Sequence, residues 1–393
     1  MNDTVLCVRQ ESTRAWVAVA ALGVSAFSIV TSELAPVGML STLAKDLNQT
    51  ESAAGLVVTA YGWVAALAAL LSGFIPAQFS RKALLVALMT TLALSCVAAA
   101  HADSMSGFMY SRMVGALAHG AFWALIGVVA SQLVPAEKLG LATAVIFGGV
   151  SAASVLGVPL SSLIADMTGW RSAFVAIALI AFATACVLLW TLPPLSGATP
   201  LRLEVYVGIL NNPMILALYG ATACIITAHF AAFTYLEPLL TQAQKVPASA
   251  VSGLLLMAGL AGMLGNIVAG KLIDRYLKKL ILFSLVLSSA ALAMLGIVTI
   301  APLPLIFSGL LLAGWAAGIA IVFVGLQTWL LQSAGEAAQP ALGIYVAIFN
   351  AAIGTGALAG GQALAIAGLQ GMALLAAAVM ACSIASIALL KRR

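Results

Sequence analysis

Five ionisable side chains lie within otherwise apolar stretches of the sequence: Glu33, Arg112, His119, His229 and Glu237. Inside a bilayer such a group costs about 2.5 kcal/mol or more, so it faces protein or water rather than lipid. A buried carboxylate resists ionisation unless a cation lies beside it, and it can then take up and release a proton. The chemistry that these residue types allow is therefore proton exchange, ion pairing or hydrogen bonding to a solute.

Part of this set recurs at intervals of three or four residues, in the series Arg112, Gly115, His119 and Trp123. At 100° per residue these positions form one narrow stripe on an α-helix, and the stripe must face protein or a cavity. Trp123 is also one of three tryptophans, with Trp63 and Trp315, that lie inside apolar stretches rather than at their ends. The stripe is a candidate for the wall of a polar site.

One amide, Asn350, lies in a run made otherwise of Ala, Gly, Ile and Phe. An amide without a hydrogen-bond partner is costly in such surroundings. Two interpretations follow: Asn350 binds a hydroxyl group of a solute, or it forms a hydrogen bond to a neighbouring helix.

Composition defines the class of protein that positions these residues. Of the 393 residues, 63% are hydrophobic and 7% are charged, and the mean hydropathy is +1.14. These values exclude a soluble globular domain and a disordered chain, and the net charge of +5 is spread over short loops, which argues against a nucleic-acid partner. The five cysteines follow no paired spacing, so neither disulfides nor a metal site is expected. The sequence has no phosphate-binding Gly-rich loop and no catalytic Ser/His/Asp cluster, which predicts that the protein is not an enzyme and uses no cofactor.

Long uncharged stretches predict many transmembrane helices. From Leu280 to Gly335 there is no Asp, Glu, Lys or Arg, and two helices of about 20 residues fit there, on either side of Pro302 and Pro304. Breaks at charges, Pro and Gly elsewhere complete an all-α membrane protein. The twelve predicted helices lie at about 15–40, 51–75, 83–102, 105–131, 139–165, 171–192, 213–240, 249–272, 280–300, 303–331, 341–366 and 369–390.

The distribution of positive residues predicts the orientation, because short cytoplasmic loops retain Lys and Arg. With the N-terminus inside, three of the seventeen fall outside, at Lys45, Arg171 and Lys245, and Arg112 lies within a helix. The thirteen others fall inside: Arg9, Arg14, Arg81, Lys82, Lys138, Arg202, Lys271, Arg275, Lys278, Lys279, Lys391, Arg392 and Arg393. We therefore expect both termini to be cytoplasmic.

The two halves of the sequence resemble each other. GFIPAQFSRK (73–82) follows the second predicted helix and GKLIDRYLKK (270–279) follows the eighth, while Glu33 precedes Pro36 as Glu237 precedes Pro238. Such self-similarity indicates two six-helix repeats. The predicted domains are an N-terminal bundle at 1–192, a central cytoplasmic loop at 193–212 and a C-terminal bundle at 213–393.

Six plus six helices with a Gly-x-x-x-Asp-Arg-x-x-Lys-Lys turn resemble the major facilitator superfamily over the whole chain. The second copy of the turn keeps Gly270, Asp274 and Arg275, whereas the first has Ala77 in place of the Asp. The resemblance implies a major facilitator fold and a role in conformational gating for Gly73, Arg81, Lys82, Gly270, Asp274 and Arg275. Two further motifs are similar to family motifs: Arg112 with Gly120 to one associated with proton coupling, and Gly157 with Pro159 to the antiporter motif, which adds these two residues to the gating set.

Local strings narrow the resemblance. TSELAPVGML, AHGAFW, GWRSAF, TAHFAAFTYLEP and FNAAIGTGA are similar to bacterial sugar efflux transporters of the drug:proton antiporter branch. This resemblance implies a protein of the bacterial cytoplasmic (inner) membrane. We also expect the protein to be a monomer.

Depth places two of the ionisable residues together. Glu33 lies about 10 Å below the outer end of the first predicted helix, and Arg112 lies about 10 Å below the outer start of the fourth. In the superfamily both helices line the central cavity, so Glu33 can face Arg112 or His119 there. The site is either a static ion pair or a proton and substrate site. His229 and Glu237 lie about 12 Å apart along one helix and cannot touch, and each has a purely structural alternative.

The leading functional prediction is a secondary transporter that exports sugars or related small polar solutes in exchange for protons. Glu33, Arg112 and His119 couple the proton gradient, and the predicted substrate-binding residues are Glu33, His119, Trp123, His229, Glu237 and Asn350. Besides solute and protons, the expected partner is the lipid bilayer. A mostly aliphatic cavity would instead favour a polyspecific drug:proton antiporter for lipophilic compounds, and a membrane sensor or membrane-embedded enzyme is the remaining alternative.

Overall fold

The computed structural model describes residues 13–72, 79–195, 203–297 and 304–390, and within these ranges it contains helices and no strands. In the first half the helices are α1 Thr13–Leu34, α2 Leu40–Asp46, α3 Glu51–Ser72, α4 Arg81–Ala100, α5 Met105–Leu133, α6 Leu139–Ala152, α7 Val158–Thr168 and α8 Trp170–Thr191. After them come α9 Leu203–Leu210, α10 Pro213–Phe233, α11 Leu236–Pro238, α12 Ala248–Ile297, α13 Leu305–Ala334 and α14 Ala338–Leu389.

Local sequence explains several of the helix starts. The Ser80 hydroxyl accepts a hydrogen bond from the Ala83 backbone N–H before α4, and the Ser104 hydroxyl accepts one from Gly107 before α5. The Asn212 side chain accepts from the first turn of α10, whose first residue is Pro213. Proline fits there because its missing N–H has no partner in a first helical turn.

Eight helical stretches of the described residues are long and apolar enough to cross a bilayer. The prediction of an all-α, multi-pass membrane protein is confirmed, while the number twelve stays a prediction. The 50 residues of α12 span about 75 Å at 1.5 Å per residue, which exceeds two hydrocarbon cores of about 30 Å. Kinks at Tyr276 in α12 and at Gly368 in α14 fall between the predicted members of each pair.

Several predicted boundaries were wrong. The first predicted helix, 15–40, ends as an α-helix at Leu34 and continues as a 3-10 turn, Ala35–Met39, because Pro36 cannot complete the α-helical hydrogen bonds. The fifth, 139–165, contains a π-helical turn at Ala153–Gly157 just before Pro159. The seventh, 213–240, breaks after Phe233. The predicted loop at 193–212 contains α9, and the eighth and ninth are separated by the kink at Tyr276 alone, since 271–280 has neither Gly nor Pro.

We call the side on which α1 begins the inner side and the opposite side the outer side. One apolar cluster is built from residues between Ala18 and Leu195. A second is built mainly from residues between Ile209 and Ile387. The division into two bundles and a central loop stays a prediction.

Two glycines among the described residues mark close approaches between helices of the two halves. Midway along α3, a Cβ at Gly62 would lie 2.7 Å from the Asn350 carbonyl oxygen and from the Gly354 nitrogen of α14. At the second contact, a Cβ at Gly259 of α12 would lie 2.5 Å from the Ser154 carbonyl oxygen in the π-helical turn. Small residues are thus required where the two halves touch.

Candidate functional site

Glu33 lies in the last turn of α1, directly before the 3-10 turn, and only 7% of its surface is exposed. Its Oε1 has no hydrogen-bond partner, and its Oε2 lies 4.0 Å from Nε2 of His119. A buried carboxylate oxygen without a donor is costly when the group is charged. Glu33 is therefore a carboxylate whose protonation state its surroundings do not fix through hydrogen bonds.

Arg112 of α5 is fully buried beside Glu33 but forms its hydrogen bonds with Ser32, the residue that precedes Glu33. Its Nη1 donates to the Ser32 hydroxyl at 2.8 Å and its Nη2 donates to the Ser32 carbonyl oxygen at 2.6 Å. The guanidinium also lies over the ring of Tyr61 at 4.6 Å and over that of Phe174 at 5.2 Å. The positive charge is thus held near the end of α1 without a hydrogen bond to the Glu33 carboxylate.

His119 of α5 lies close to polar groups of α1 and α3 as well as of its own helix. Its Nε2 accepts a hydrogen bond from the Trp123 indole N–H at 3.1 Å, and its Nδ1 lies 3.4 Å from the Tyr61 hydroxyl. A nitrogen that accepts carries no proton, so this arrangement assigns the proton of a neutral ring to Nδ1. The ring then offers Glu33 no N–H, and protonation of Nε2 would require the bond from Trp123 to break.

A cavity of about 400 Å³ is lined from both halves, by α1, α6, the π-helical turn, α7, α10, α12 and α13. Most of its lining is apolar, including the aromatic residues Phe147, Phe230, Phe233, Trp315 and Phe323. Its polar side chains, apart from the Trp315 indole, are Ser151, Ser154, His229, Asn266 and Gln327, and no charged side chain is among the described residues that line it.

The cavity adjoins the Glu33 region at two points. Leu34 lines the cavity and follows Glu33 directly. Phe147 lines it as well and lies 5.8 Å from the ring of Trp123, which binds His119. Glu33, Arg112, His119 and Trp123 are therefore grouped by the fold, next to the cavity rather than among its lining side chains.

Glu237 lies outside the cavity, at the outer ends of the helices. Its Oε2 accepts from the Ser41 backbone N–H at 2.8 Å, and the Thr241 hydroxyl lies 3.3 Å from its Oε1. The Ser41 hydroxyl in turn donates to Glu51 at 3.0 Å, and the Gln242 amide donates to the same Glu51 oxygen. We call Ser41, Glu51, Glu237 and Gln242 the outer network; it joins the two halves of the chain.

Asn350 of α14 is buried and also lies outside the cavity lining. Its Nδ2 donates to the Val346 carbonyl oxygen of its own helix at 2.9 Å, and its Oδ1 has no partner. Its backbone oxygen packs against Gly62. Neither a solute nor a neighbouring helix is needed for the amide to donate, so the role of Asn350 in substrate binding stays a prediction.

Comparison with known families assigns the fold. The family model described as Major Facilitator Superfamily matches residues 21–340. The chain belongs to the major facilitator superfamily. It is thus a membrane transporter of small molecules rather than an enzyme.

Solved structures of major facilitator proteins superimpose on nearly the whole chain. A bacterial homolog of the human lysosomal transporter Spinster, in an inward-facing and unoccupied conformation, is 13% identical with a TM-score of 0.70, and 96% of each chain is covered. The human organic anion transporter MFSD10 (TETRAN) is 17% identical with a TM-score of 0.69, over 96% of this chain and 100% of that one. A D-xylose-proton symporter is 18% identical with a TM-score of 0.73, over 93% and 96%. At these identities the likeness shows the fold alone.

The described residues of the two superfamily turns lie at the inner side. Gly73 lies outside the described residues. Arg81 is buried at the start of α4, where its backbone N–H donates to the Leu195 carbonyl oxygen, and Lys82 is half-buried. In the second turn Gly270, Asp274 and Arg275 are exposed, and the Arg275 guanidinium lies 5.1 Å from the ring of Tyr276. Their roles in gating stay predictions.

The antiporter-like motif of the superfamily lies at a helix contact. Gly157 ends the π-helical turn, and a Cβ there would lie 2.1 Å from the Thr31 hydroxyl oxygen of α1. Pro159 is buried in the first turn of α7. The motif thus permits close packing against the helix that carries Glu33.

Two amides of the cavity, Asn266 and Gln327, were missed by the sequence analysis. Both stand in apolar runs, as Asn350 does, so the same sequence signal marks them as candidates. The cavity positions of Phe233 and Phe323 carry no such signal, because helices that are apolar all round do not indicate which face lines a cavity.

Proposed function

We propose that this secondary transporter exports amphipathic, largely apolar small molecules in exchange for protons. The observation that carries the proposal is the aromatic and aliphatic lining of the cavity, which has a few hydroxyl and amide groups and no charged side chain among its described residues. Apolar walls with a small number of polar groups bind ligands of the same character. A drug:proton antiporter for lipophilic compounds is therefore favoured over a sugar exporter.

Glu33 is the proposed proton carrier. Its carboxylate is buried and has an oxygen without a hydrogen-bond donor. The next residue of α1, Leu34, is part of the cavity wall. A substrate that presses on Leu34 and Phe147 acts on the surroundings of Glu33 and of the Trp123–His119 pair. Substrate binding and protonation of Glu33 then exclude each other, which is the requirement for exchange.

The contacts between the halves support an alternating-access cycle. The outer network closes the outer side, as does the bond from the Ser52 hydroxyl to the Gly361 carbonyl oxygen. Substrate enters from the inner side and displaces the proton of Glu33 there. The halves rock, substrate leaves on the outer side, Glu33 takes up a proton, and the halves return.

Sugars are the second candidate, favoured by one observation. The Ser151 hydroxyl and the Asn266 and Gln327 amides line the cavity together with the Trp315 ring, and sugars pair hydroxyl groups with such donors while an apolar face stacks on a ring. Transporters of this fold include both a D-xylose-proton symporter and an organic anion transporter, so the fold itself favours neither class.

The test uses the protein in liposomes that enclose a pH-sensitive dye. We expect neutral lipophilic aromatic compounds to cause proton movement, and arabinose or lactose to cause little. Glu33→Gln should remove this response, because the amide mimics the protonated acid and cannot cycle. The exposed Glu137 offers a matched control, and Glu137→Gln should behave as wild type. Proton movement with sugars alone would replace the proposal by the second candidate.

A further inference from the structure

His229 of α10 is enclosed by aromatic rings on the cavity wall. Its ring stacks on Phe233 at 5.1 Å between centroids and meets Phe230 at 4.9 Å, Trp315 at 5.3 Å and Phe323 at 5.6 Å, each edge-on. These rings come from α10 and α13, and all five residues line the cavity. We call them the aromatic cage.

Two polar atoms of the aromatic cage have no hydrogen-bond partner. They are Nδ1 of His229 and Nε1 of Trp315, and the two side chains are 94% and 99% buried. Almost all buried polar groups in proteins are hydrogen-bonded, and each exception requires an explanation. Both residues line the cavity but the two atoms themselves are covered, so a ligand there can supply the missing partner once the rings of the cage move aside.

The chemistry of the two atoms defines that partner. The indole N–H of Trp315 can only donate, and the imidazole Nδ1 donates in one tautomer. One oxygen with two lone pairs accepts from both. The cage offers no carboxylate to a cationic ligand and no permanent cation to an anionic one, while its four flanking rings offer stacking surface.

We infer that His229 and Trp315 jointly bind an accepting oxygen, such as a carbonyl, on a neutral aromatic substrate. The inference rests on the proposed function and names the substrate class. The two rings select for the oxygen, and the remaining cage rings bind the aromatic plane. The sequence predicted His229 as a binding residue, and it marked Trp315 only as one of three tryptophans inside apolar stretches.

Fluorenone and fluorene test the inference, because they share a shape and differ in one carbonyl oxygen. Saturable binding of each labelled probe is measured with the full chain in nanodiscs, and binding to empty nanodiscs is subtracted. We expect wild type to bind fluorenone about 5- to 30-fold more tightly than fluorene. Equal affinities of the wild-type protein for the two compounds would overturn the inference without the need for a variant.

Two variants locate the selection. Trp315→Phe and His229→Phe keep a ring and remove the polar atom, so each should reduce the preference for fluorenone over fluorene several-fold. Trp329→Phe is the matched control, because Trp329 is buried in the same helix, α13, and does not line the cavity. The control should keep the wild-type preference.

The outcomes separate the inference from the proposed function. A preference that survives both variants, or that is lost in only one, overturns the joint assignment, and saturable fluorene binding in the same experiment still supports the apolar cavity. Absence of saturable binding of either probe to wild type overturns both. Saturable fluorene binding by the variants shows that each variant retains the cavity.

Discussion

The two buried histidines of the chain lie in opposite surroundings. Both ring nitrogens of His119 have polar neighbours, Trp123 and Tyr61, in a network that also holds Glu33 and Arg112. The ring of His229 touches four aromatic rings, and its Nδ1 has no partner. Burial alone therefore says little about what a histidine does, whereas the saturation of its hydrogen bonds separates a positioned group from one available to a ligand.

The same difference holds for the two halves of the chain. The first half holds a buried carboxylate and a buried guanidinium, and the second contributes most of the apolar cavity wall. Under the proposed function, one half exchanges protons and the other provides most of the substrate contacts. Changes in the first half should then alter coupling and leave binding intact, and changes in the cage should do the reverse.

The largest effect is expected from Glu33→Gln. Coupled export should be lost and substrate binding retained, since the amide keeps the size of the protonated acid. Export driven by an imposed proton gradient measures coupling, and equilibrium binding of the same compound measures substrate affinity. Undiminished gradient-driven export would remove Glu33 from the coupling role.

Arg112 comes next, because it holds a positive charge beside Glu33 through two bonds to Ser32. Arg112→Ala removes both bonds and the charge, while Arg112→Lys keeps the charge and one donor. Each charge-assisted hydrogen bond is worth about 1.5–3 kcal/mol, so coupled export should fall about 10- to 100-fold in the alanine variant and less in the lysine variant. If both variants transport like wild type, the residue is only structural.

Glu237→Ala should weaken the outer network. Loss of the bond from the Ser41 N–H should shift the equilibrium away from the outer-closed state by about tenfold. Spin labels at Lys45→Cys and Lys245→Cys, in a background without native cysteines, report the distance between the exposed outer ends of the halves. We expect Glu237→Ala to increase the population with a long distance between the labels. Glu336→Ala, which alters an exposed acid on the inner side, should keep the wild-type distance distribution.

The smallest effect is expected from Trp123→Phe. The ring contact with Phe147 remains possible, but Nε2 of His119 loses its donor, a neutral bond worth about 0.5–1.5 kcal/mol. Coupled export should fall about two- to tenfold without a change in substrate affinity. The exposed Trp190 provides the control, and an equal loss in Trp190→Phe would point to a general effect of removing an indole.

The sequence was most informative where polar residues stand in apolar surroundings. Hydropathy predicted the all-helical membrane fold, and helical spacing grouped Arg112, His119 and Trp123 as the structure has them. The bond from Arg112 to Ser32 could not be foreseen, because a serine carries no helical signal and the contact depends on where α1 ends. The second-half wall of the cavity was hidden for a related reason: α10, α12 and α13 are apolar on every face, so only their rotation and tilt determine which rings line it.

The contact between Gly62 and Gly354 has a mechanical consequence. Gly62 is the twelfth of the 22 residues of α3, so the close approach to α14 lies at the midpoint of a rod about 33 Å long. A fulcrum at that point gives two arms of about 16 Å, and a tilt of about 20° displaces each end by about 5 Å in opposite directions. The hydrogen bond from the Trp63 indole to the Thr355 hydroxyl, one residue further along each helix, lies almost on the axis and hardly changes in length during such a tilt.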